Sequence, residues 1–401
     1  MSSSPDPVES SDAVAPDAPQ EKRFPCKQCG AKLVFKPGIA ALKCEYCGFE
    51  NPIPQSEDEI RELDFRAHFA RLVKSEETQE AETVKCDACG AEVERPEHAT
   101  AFECPFCGTD IVAQATSKKL IKPKSLLPFH VTRDQARTSF RTWLQGLWFA
   151  PNKLKQYARQ DTRLNGMYVP HWTYDCNTTS HYRGERGDDY WVTQTYTTTQ
   201  GGRTVTRTRR VRKTRWTYVS GVVWDQFDDV LVVASESLPK KHIERLEPWD
   251  LQNLVPYGDE YLSGFRAESY QIDLVQGFNV AKDIMDDTIR QSVRRDIGGD
   301  HQRIHSVRTQ YDDITFKHIL LPVWISAYRF SQQVYRFLVN ARTGEVQGER
   351  PWSWIKIALF VLVVLVVLGT AAYFVIPYFM ESGGSVRSSF RVNMLLAPLA
   401  W

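Results

Sequence analysis

Cysteine is the residue type whose spacing in this chain points most directly to chemistry. Eight of the nine cysteines form four C-x2-C pairs, and the pairs occur twice as C-x2-C-x14-C-x2-C. They are Cys26, Cys29, Cys44 and Cys47 in the first copy and Cys86, Cys89, Cys104 and Cys107 in the second. A glycine follows every pair, as expected of a tight turn whose backbone N–H groups point at thiolate sulfur. Four thiolates from two such turns complete a closed tetrahedral site, so the repeat predicts two structural Zn²⁺ ions.

Two zinc ribbons are therefore predicted, at residues 23–50 and 84–113. Disulfides are the competing interpretation, but they require an oxidising compartment, and the polar, acidic residues 1–22 do not resemble a secretory signal. A redox C-x2-C is a weaker alternative, since that chemistry does not use four matched pairs. Residues 22–50 hold six bases against two acids (+4), whereas residues 84–110 hold two bases against six acids (−4). Nucleic acid therefore suits the first ribbon and should be repelled by the second.

Motifs of nucleotide-dependent and hydrolytic enzymes are absent from the sequence. It contains no G-x-x-x-x-G-K-[ST], G-x-G-x-x-G, G-x-S-x-G or H-E-x-x-H, so we expect neither an enzyme nor ATP-driven chemistry. The remaining candidate is DIGGDHQRIH, which offers Asp296, Asp300, His301 and His305. A hydrogen-bonded turn is favoured there over a metal site. Cys176, the ninth cysteine, is predicted to be a buried core thiol.

A basic hairpin is predicted at residues 190–218. Two segments with high β propensity flank Gly201-Gly202, a dipeptide typical of a two-residue turn. The second segment carries seven bases and no acid within thirteen residues: Arg203, Arg207, Arg209, Arg210, Arg212, Lys213 and Arg215. One interpretation is a solvated hairpin whose charges are met by Asp188, Asp189, Asp225, Asp228 and Asp229. The other is an anion-binding arm that faces lipid head groups, which we favour, or nucleic-acid phosphate.

An α+β body that carries this hairpin is predicted for residues 127–350, with antiparallel strands and with helices on one face of the sheet. Two segments, within residues 128–184 and 270–340, follow the same order of short strand, helix and longer strands. Pro170-x-Trp172 and Pro322-x-Trp324 occupy matching places in them, and Thr132 with Gln135 predicts a helix capping box. A duplicated body is the favoured interpretation, with chance similarity as the alternative.

Shorter segments connect these parts. Residues 1–22 are predicted to be a disordered acidic tail and residues 114–126 a linker. Residues 51–83 are predicted to hold a linker helix that is capped at Ser56, with Glu59 three positions later. Its apolar stripe consists of Ile60, Leu63, Phe69 and Leu72.

A transmembrane helix is predicted at residues 353–380. The 24 residues from Ile357 to Met380 hold no charge, and at ~1.5 Å per residue they can cross a hydrocarbon core of about 30 Å. Interfacial aromatics are expected at both ends of such a helix, where the sequence has Trp352, Trp354, Tyr373 and Tyr378. Residues 336–356, before the helix, carry four bases, and residues 381–401, after it, carry two. This difference and the missing secretory signal place the part of the chain before the helix, which we call the head, in the cytosol. Residues 381–401 are then a tail beyond the helix.

The sequence also resembles a known group of proteins. The segments that carry the resemblance are the twin ribbons, PFHVTRDQA, WFAPNKLK, GMYVPHWTYD, FDDVLVVAS, EPWDL, DIGGDHQRI, FKHILLPVW and TGEVQGERPWSWIK, followed by one span. It is similar to bacterial zinc-ribbon membrane proteins that are often labelled primosomal protein N' (replication factor Y), a superfamily II helicase. The resemblance implies that the eight paired cysteines are zinc ligands. The helicase label itself conflicts with the absence of a nucleotide-binding loop.

These observations predict a membrane-anchored cytosolic adaptor or scaffold with one span in the cell (inner) membrane. Its ribbons would contact a protein partner, and its hairpin would contact anionic lipid. The alternative is a membrane-associated protein that binds nucleic acid through the basic ribbon and the hairpin. The formal charge of +1 favours neither.

Overall fold

The computed structural model describes residues 24–39, 41–54, 60, 62–72, 78–86, 92–94, 102–104, 110–111, 116–152, 164–200, 203–330 and 333–381. The chain forms two compact units, one from Met1–Trp143 with Ala158–Glu349 and the other from Leu144–Tyr157 with Arg350–Trp401. The first unit is a mixed α+β head, and the second contains the long C-terminal helix. The predicted fold class is confirmed.

Short strands make up the N-terminal region. Strands β1 (Val34–Phe35), β2 (Ala41–Lys43) and β3 (Glu50–Pro52) form an antiparallel sheet. Strand β4 (Leu63–Asp64) and helix α1 (Phe65–Leu72) follow. Next, β5 (Thr78–Lys85) pairs with β6 (Glu92–Glu94) on one side and with β9 (Thr116–Ile121) on the other. Between β6 and β9 in sequence, β7 (Phe102–Glu103) pairs with β8 (Asp110–Ile111).

Two sequence predictions for this region need correction. The expected linker at residues 114–126 contains β9 and also β10 (Ser125–Leu126), which joins the main sheet. The helix expected within residues 51–83 is present as α1, which includes Phe69 and Leu72. It is shorter than the predicted stripe, since Leu63 lies in β4 opposite Phe316 of the main sheet. Asp64 caps α1 by accepting a hydrogen bond from the backbone N–H of Ala67 (2.6 Å), while Ser56 and Glu59 lie outside the described residues. Pairing with a distant strand has overridden a local helical pattern here.

The remaining strands and helices of the head build the main sheet and its cover. The strands are β11 (Asn165–Gln200), β12 (Arg203–Val233), β13 (Val255–Pro256), β14 (Arg266–Ala267), β15 (His301–Phe330), β16 (Gln333–Asn340) and β17 (Val346–Gly348). The helices are α2 (Arg133–Gly146), α3 (Lys240–Ile243), α4 (Asp259–Leu262) and α5 (Leu274–Ile297), with 3₁₀ turns at Glu244–Leu246 and Leu251–Asn253. The sheet order is β12-β11-β15-β10-β13, and β4, β14, β16 and β17 pair beside it.

The two matching segments exchange strands at the centre of this sheet. Strand β10, which lies just before the first segment, pairs in parallel with β15 of the second, with Leu126 opposite Leu320. Strand β14, which lies just before the second segment, pairs in parallel with β11 of the first, with Ala267 opposite Tyr168. The short strands thus begin a few residues before the positions expected from PFHV and YQID, but their arrangement is reciprocal.

The register of β11 against β15 agrees with that reciprocity. The two strands are antiparallel, and Val169 lies directly opposite Leu321. Pro170 lies opposite Leu320, and Pro322 lies opposite Tyr168. A 180° rotation about an axis through the Val169–Leu321 pair, perpendicular to the sheet, therefore superimposes each Pro-x-Trp motif on the other.

Equivalent capping boxes begin the two long helices. Thr132 N–H donates to Gln135 Oε1 (2.8 Å), as predicted, and Asp273 N–H donates to Gln276 Oε1 (3.1 Å). In return, Gln276 N–H donates to Asp273 Oδ1 (2.8 Å). Because each box satisfies N–H groups that the first helical turn leaves unpaired, both helices start at defined residues.

Both long helices cover the sheet face that carries Trp172 and Trp324. Apolar residues of α5 recur every three or four positions, and Ala281, Met285 and Ile289 are fully buried in one core with Trp172. On α2, Phe140 stacks on Phe337 of β16 at 3.6 Å between ring centroids. The opposite face packs against α3, the adjacent 3₁₀ turn and the second cysteine-rich segment.

Strands β11 and β12 form a hairpin much longer than the predicted one. They pair from His171–Val233 to Gln200–Arg203, around residues 201–202. Strand β15 continues along β11 only as far as the pair Gly187–His301. Beyond that pair, residues 188–200 and 203–215 form a two-stranded ribbon, which we call the arm.

The second unit contains helix α6 (Trp354–Glu381). Its segment Trp354–Tyr373 is long and apolar enough to cross a membrane, and none of it is buried. Near its start, Lys356 Nζ donates to the carbonyl oxygen of Ala150 (2.8 Å) and to Asn152 Oδ1 (2.8 Å). These hydrogen bonds satisfy the ammonium group of Lys356, which is the basic residue nearest to the apolar segment of α6.

Candidate metal centre and basic arm

The first ribbon presents its cysteines on two similar turns. One turn follows Pro25, which bridges to Lys32, and the other joins β2 to β3. Gly30 and Gly48 end the turns with φ of +74° and +75°, a conformation that glycine adopts without steric cost. The sequence prediction of matched turns is confirmed for this ribbon.

The four sulfur atoms of these turns lie at metal-binding distances. Cys26 Sγ is 3.6 Å from Cys47 Sγ, and Cys29 Sγ is 3.5 Å from Cys44 Sγ. All four lie within 4.8 Å of one another. A tetrahedron with Zn–S bonds of about 2.3 Å has S···S edges of roughly 3.8 Å. The residues therefore fit one Zn²⁺ ion, and no pair is close to the S–S distance of a disulfide, ~2.05 Å.

The surroundings of Cys26 favour its thiolate. Burial acts to raise the pKa of this thiol, but the backbone N–H groups of Cys29 and Gln28 and the side chains of Cys47 and Asn51 lower it to about 6. Asn51 is buried and also accepts a hydrogen bond from the Lys27 N–H (3.1 Å). Sequence spacing gave no indication of Asn51, because it lies beyond the cysteine motif and reaches the site only through β3.

The second ribbon is described in part. Cys86 and Cys104 are buried, and they directly follow β5 and β7. Cys104 thus stands after β7 as Cys44 stands after β2. Cys89 and Cys107 lie outside the described residues, so the second zinc site remains a prediction.

The Asp296 to His305 segment runs from the end of α5 through a turn at Gly298-Gly299 into β15, and its candidate side chains bond to other residues rather than to one another. Asp296 accepts a hydrogen bond from Tyr182 (2.5 Å), and Asp300 accepts one from the Asp189 backbone N–H (2.8 Å). His301 and His305 lie on β15 rather than on a helix, and they face Asp189 (3.2 Å) and Glu185 (3.7 Å) respectively. The alternative of a helical metal site is wrong, because α5 ends before the histidines.

The ninth cysteine is a core thiol, as predicted. Cys176 is buried against α5, and its Sγ–H donates to Met285 Sδ (3.6 Å). Burial raises the pKa of this thiol to about 11. A thiol kept protonated in this way is a poor nucleophile.

The seven bases of the arm are divided unequally between its two faces. Because side chains alternate along a strand, odd-numbered residues of β12 share one face. That face carries five bases: Arg203, Arg207, Arg209, Lys213 and Arg215. The other face carries Arg210 and Arg212. All seven are exposed.

The five aspartates expected to neutralise the arm mostly have other partners. Asp189 pairs with Arg212 (3.3 Å), which agrees with the prediction. Asp188 pairs instead with Arg186 (2.9 Å). Asp225 accepts a hydrogen bond from Ser292, and Asp229 pairs with Lys317. The arm therefore keeps most of its positive charge.

Aromatic rings accompany some of the bases. The guanidinium of Arg209 lies 5.5 Å from the ring centroid of Tyr196, and that of Arg210 lies 5.5 Å from the ring of Trp191. Both rings are exposed. The arm thus combines cations with accessible aromatic surface on both faces.

One cluster of three carboxylates is not predictable from the sequence pattern. Oxygen atoms of Glu62, Asp175 and Asp228 lie within 4.8 Å of one another. Lys317 already neutralises this region, since its Nζ lies 3.3 Å from Glu62 and 2.7 Å from Asp229. It is a structural charge network that links β4 to the main sheet.

Comparison with known proteins gives one informative similarity. The chain is 24% identical over 336 residues to "Uncharacterized protein YdjG" from Bacillus subtilis (strain 168), which covers 84% of this chain and 92% of that protein. No protein-family model matches the chain. No solved structure matches it either. The name of the relative carries no primosomal or helicase description, so the label implied by the resemblance is not supported.

Proposed function

We propose that this protein is a membrane-anchored zinc-ribbon adaptor that binds partners rather than catalysing a reaction. Helix α6 is the anchor, and the head lies in the cytosol, where the cysteines stay reduced and hold two Zn²⁺ ions. The arm and the first ribbon are its binding elements.

The observation that carries the proposal is the arm itself. A two-stranded ribbon without a core is marginally stable in water, and residues 188–200 and 203–215 pair only with each other among the described residues. Such an element adds little to folding. Its concentrated charge and its exposed rings are accounted for by contact with an anionic partner.

Anionic lipid is the partner that the anchor makes most accessible. The head is tethered to a bilayer, and each Lys or Arg near an anionic surface contributes about 1 kcal/mol. Five bases on one face can act together there. Tyr196 and Val205 lie on the same face, and both are exposed, as expected of an interfacial surface.

Hydrogen exchange in nanodiscs tests this contact with the full-length chain. We expect amides of the arm to exchange more slowly in discs with anionic lipid than in neutral discs. Changing the five bases to glutamine should abolish the difference. Changing Thr206 and Thr208 to glutamine, on the other face, should preserve it. Identical exchange in both kinds of disc would contradict a lipid-binding arm.

The first ribbon supplies a second contact surface, suited to a protein. Tyr46 stands between Cys44 and Cys47 and is 86% exposed, and Phe49 is 41% exposed. Exposed aromatics on a rigid turn are typical anchors of protein interfaces. We expect Tyr46→Ala to lose a partner that the intact protein captures from solubilised membranes, while zinc content is unchanged.

Nucleic acid is the second candidate, favoured by the pairs of arginine and aromatic rings on the arm. Such pairs stack bases and hold phosphate in proteins that bind single strands. A salt titration with single-stranded DNA distinguishes the candidates, since log affinity should fall with a slope of about −0.7 per phosphate contact. A shallow slope would exclude this role for the arm.

A further inference from the structure

A second cationic surface lies at the base of the arm, where β12, β11 and β15 run side by side. On one face, Thr178, Ser180 and Tyr182 of β11 are buried beneath α5. The alternate residues His181 and Arg183 point to the opposite face, which is exposed. This open face is distinct from the arm and from the ribbons.

The open face contains a shallow cavity of about 370 Å³. The strand register places Arg183 between Ser220 of β12 and Ser306 of β15. It also places His181 beside Arg308. Three strands therefore bring two guanidinium groups, an imidazole and two hydroxyls around one concave surface.

Among the described residues, the two arginines of this cavity differ from their neighbours in having no acidic partner. Along the same face, Arg303 pairs with Glu185 (3.4 Å) and His301 pairs with Asp189 (3.2 Å). Arg183 and Arg308 make no ion pair with any described residue. Two unpaired guanidinium groups in a concave surface leave a positive charge that an anion would neutralise.

Two aromatic side chains of β12 lie next to the residues that line the cavity, two positions before Ser220 and two positions after Val222. Tyr218 and Trp224 are 81% and 73% exposed, and they share the face of Ser220 and Val222 because all four positions are even-numbered. Both rings are therefore accessible from solvent, and their faces can stack on a planar group. They offer flat apolar surfaces on either side of the cations.

We infer that this cavity binds the phosphate group of a small soluble molecule that carries a planar ring. The guanidinium groups of Arg183 and Arg308 donate to the phosphate oxygens, and the hydroxyls of Ser220 and Ser306 donate beside them. Tyr218 or Trp224 stacks on the ring. The volume suits a ligand of that size, and the inference does not depend on what the arm or the ribbons bind.

Calorimetry on the full-length protein in neutral detergent tests the site with phenyl phosphate and inorganic phosphate. Phenyl phosphate should bind about ten-fold more tightly than inorganic phosphate, because only it stacks on an aromatic ring. Arg183→Gln with Arg308→Gln should weaken both ligands about 100-fold, since each charge-assisted bond contributes about ten-fold. Trp224→Leu with Tyr218→Leu should remove only the advantage of the ring.

The matched control is Arg209→Gln with Arg215→Gln, which removes the same charge from the arm and should change affinity less than about three-fold. All substituted residues are exposed, and unchanged melting curves verify folding. The inference is overturned if the wild-type protein shows no saturable binding, or if both double arginine variants lose affinity equally. Binding to phosphatidic acid vesicles without binding to either soluble phosphate would also overturn it.

Discussion

Trp172 and Trp324 make the same hydrogen bond from opposite halves of the body. Trp172 Nε1 donates to the carbonyl oxygen of Ile272 (2.9 Å), and Trp324 Nε1 donates to that of Val131 (2.8 Å). Each acceptor immediately precedes the N-cap residue of a long helix, α5 and α2 respectively. Each half therefore holds the start of the other half's helix, so the two halves cannot form their cores independently.

Replacing either tryptophan by phenylalanine should destabilise the head to a similar extent. Both indoles are buried, and the substitution removes a hydrogen bond, leaves the acceptor carbonyl without this donor and opens a small cavity. We expect a loss of about 2–4 kcal/mol in each case. Melting curves of the full-length protein measure it. Trp191→Phe on the exposed arm is the control and should leave the melting temperature unchanged.

Zinc content should report the two ribbons separately. Elemental analysis of the reduced full-length protein should give two zinc ions per chain. Cys44→Ser should lower this to one, because three thiolates hold a structural ion far less tightly than four. Cys104→Ser should do the same through the second ribbon, whereas Cys176→Ser should retain both ions. A wild-type value of one would show that the second ribbon binds no metal.

Glu268 should make the head less stable as pH rises. Burial raises the pKa of this carboxyl to about 8, although Ser237 and Ser235 donate hydrogen bonds that act to lower it. Between about pH 4.5 and 8 the folded state retains a proton that the unfolded state has lost. Stability from this group is therefore present below that range and falls by about 1.4 kcal/mol per pH unit across it.

Glu268→Gln removes this dependence without changing the shape of the side chain. We expect the variant to be more stable than wild type at pH 7, by about 1–3 kcal/mol, and equally stable near pH 4. Melting temperatures across this range provide the measurement. Parallel curves for the two proteins would show that Glu268 does not keep its proton at neutral pH.

Topology is tested by reporter fusions at the two ends of the chain. With a cytosolic head, alkaline phosphatase fused after Trp401 should be active, and a fluorescent protein at the N-terminus should fluoresce. The 21 residues from Glu381 to Trp401 carry only two arginines and one glutamate, so they can cross with little cost. The reverse pattern would refute the proposed orientation and weaken the argument for reduced, zinc-bound cysteines.

Sequence predictions succeeded where the determining residues lie close together. The C-x2-C pairs and their glycines predicted a set of sulfurs that lie 3.5 and 3.6 Å apart across the first ribbon. The Thr132–Gln135 capping box and the apolar C-terminal helix were also predicted from adjacent residues. In each case the chemistry of a few neighbouring positions suffices.

Predictions failed where a strand partner lies far away in the chain. Leu63 follows a helical pattern, yet its backbone pairs with Phe316. Residues 116–121 were predicted to lie in a linker, yet they form strand β9 by pairing with β5. The aspartates around the arm were expected to face its bases, but Asp225, Asp228 and Asp229 lie toward the other end of β12, where Asp225 bonds to Ser292 and Asp229 pairs with Lys317. Strand register depends on contacts over more than a hundred residues, and local propensity does not encode it.

The amino-acid sequence by itself determined the paired cysteines of the first ribbon, the apolar C-terminal helix and the concentration of bases beside Gly201-Gly202. The tertiary structure alone decided where the arm begins, because that point is set by the pair Gly187–His301, where β15 stops accompanying β11. It alone brought Arg183 and Arg308 together from strands that are 125 residues apart in sequence. The physical reason is that side-chain alternation sorts residues onto faces locally, whereas only long-range hydrogen bonding selects which strands lie side by side.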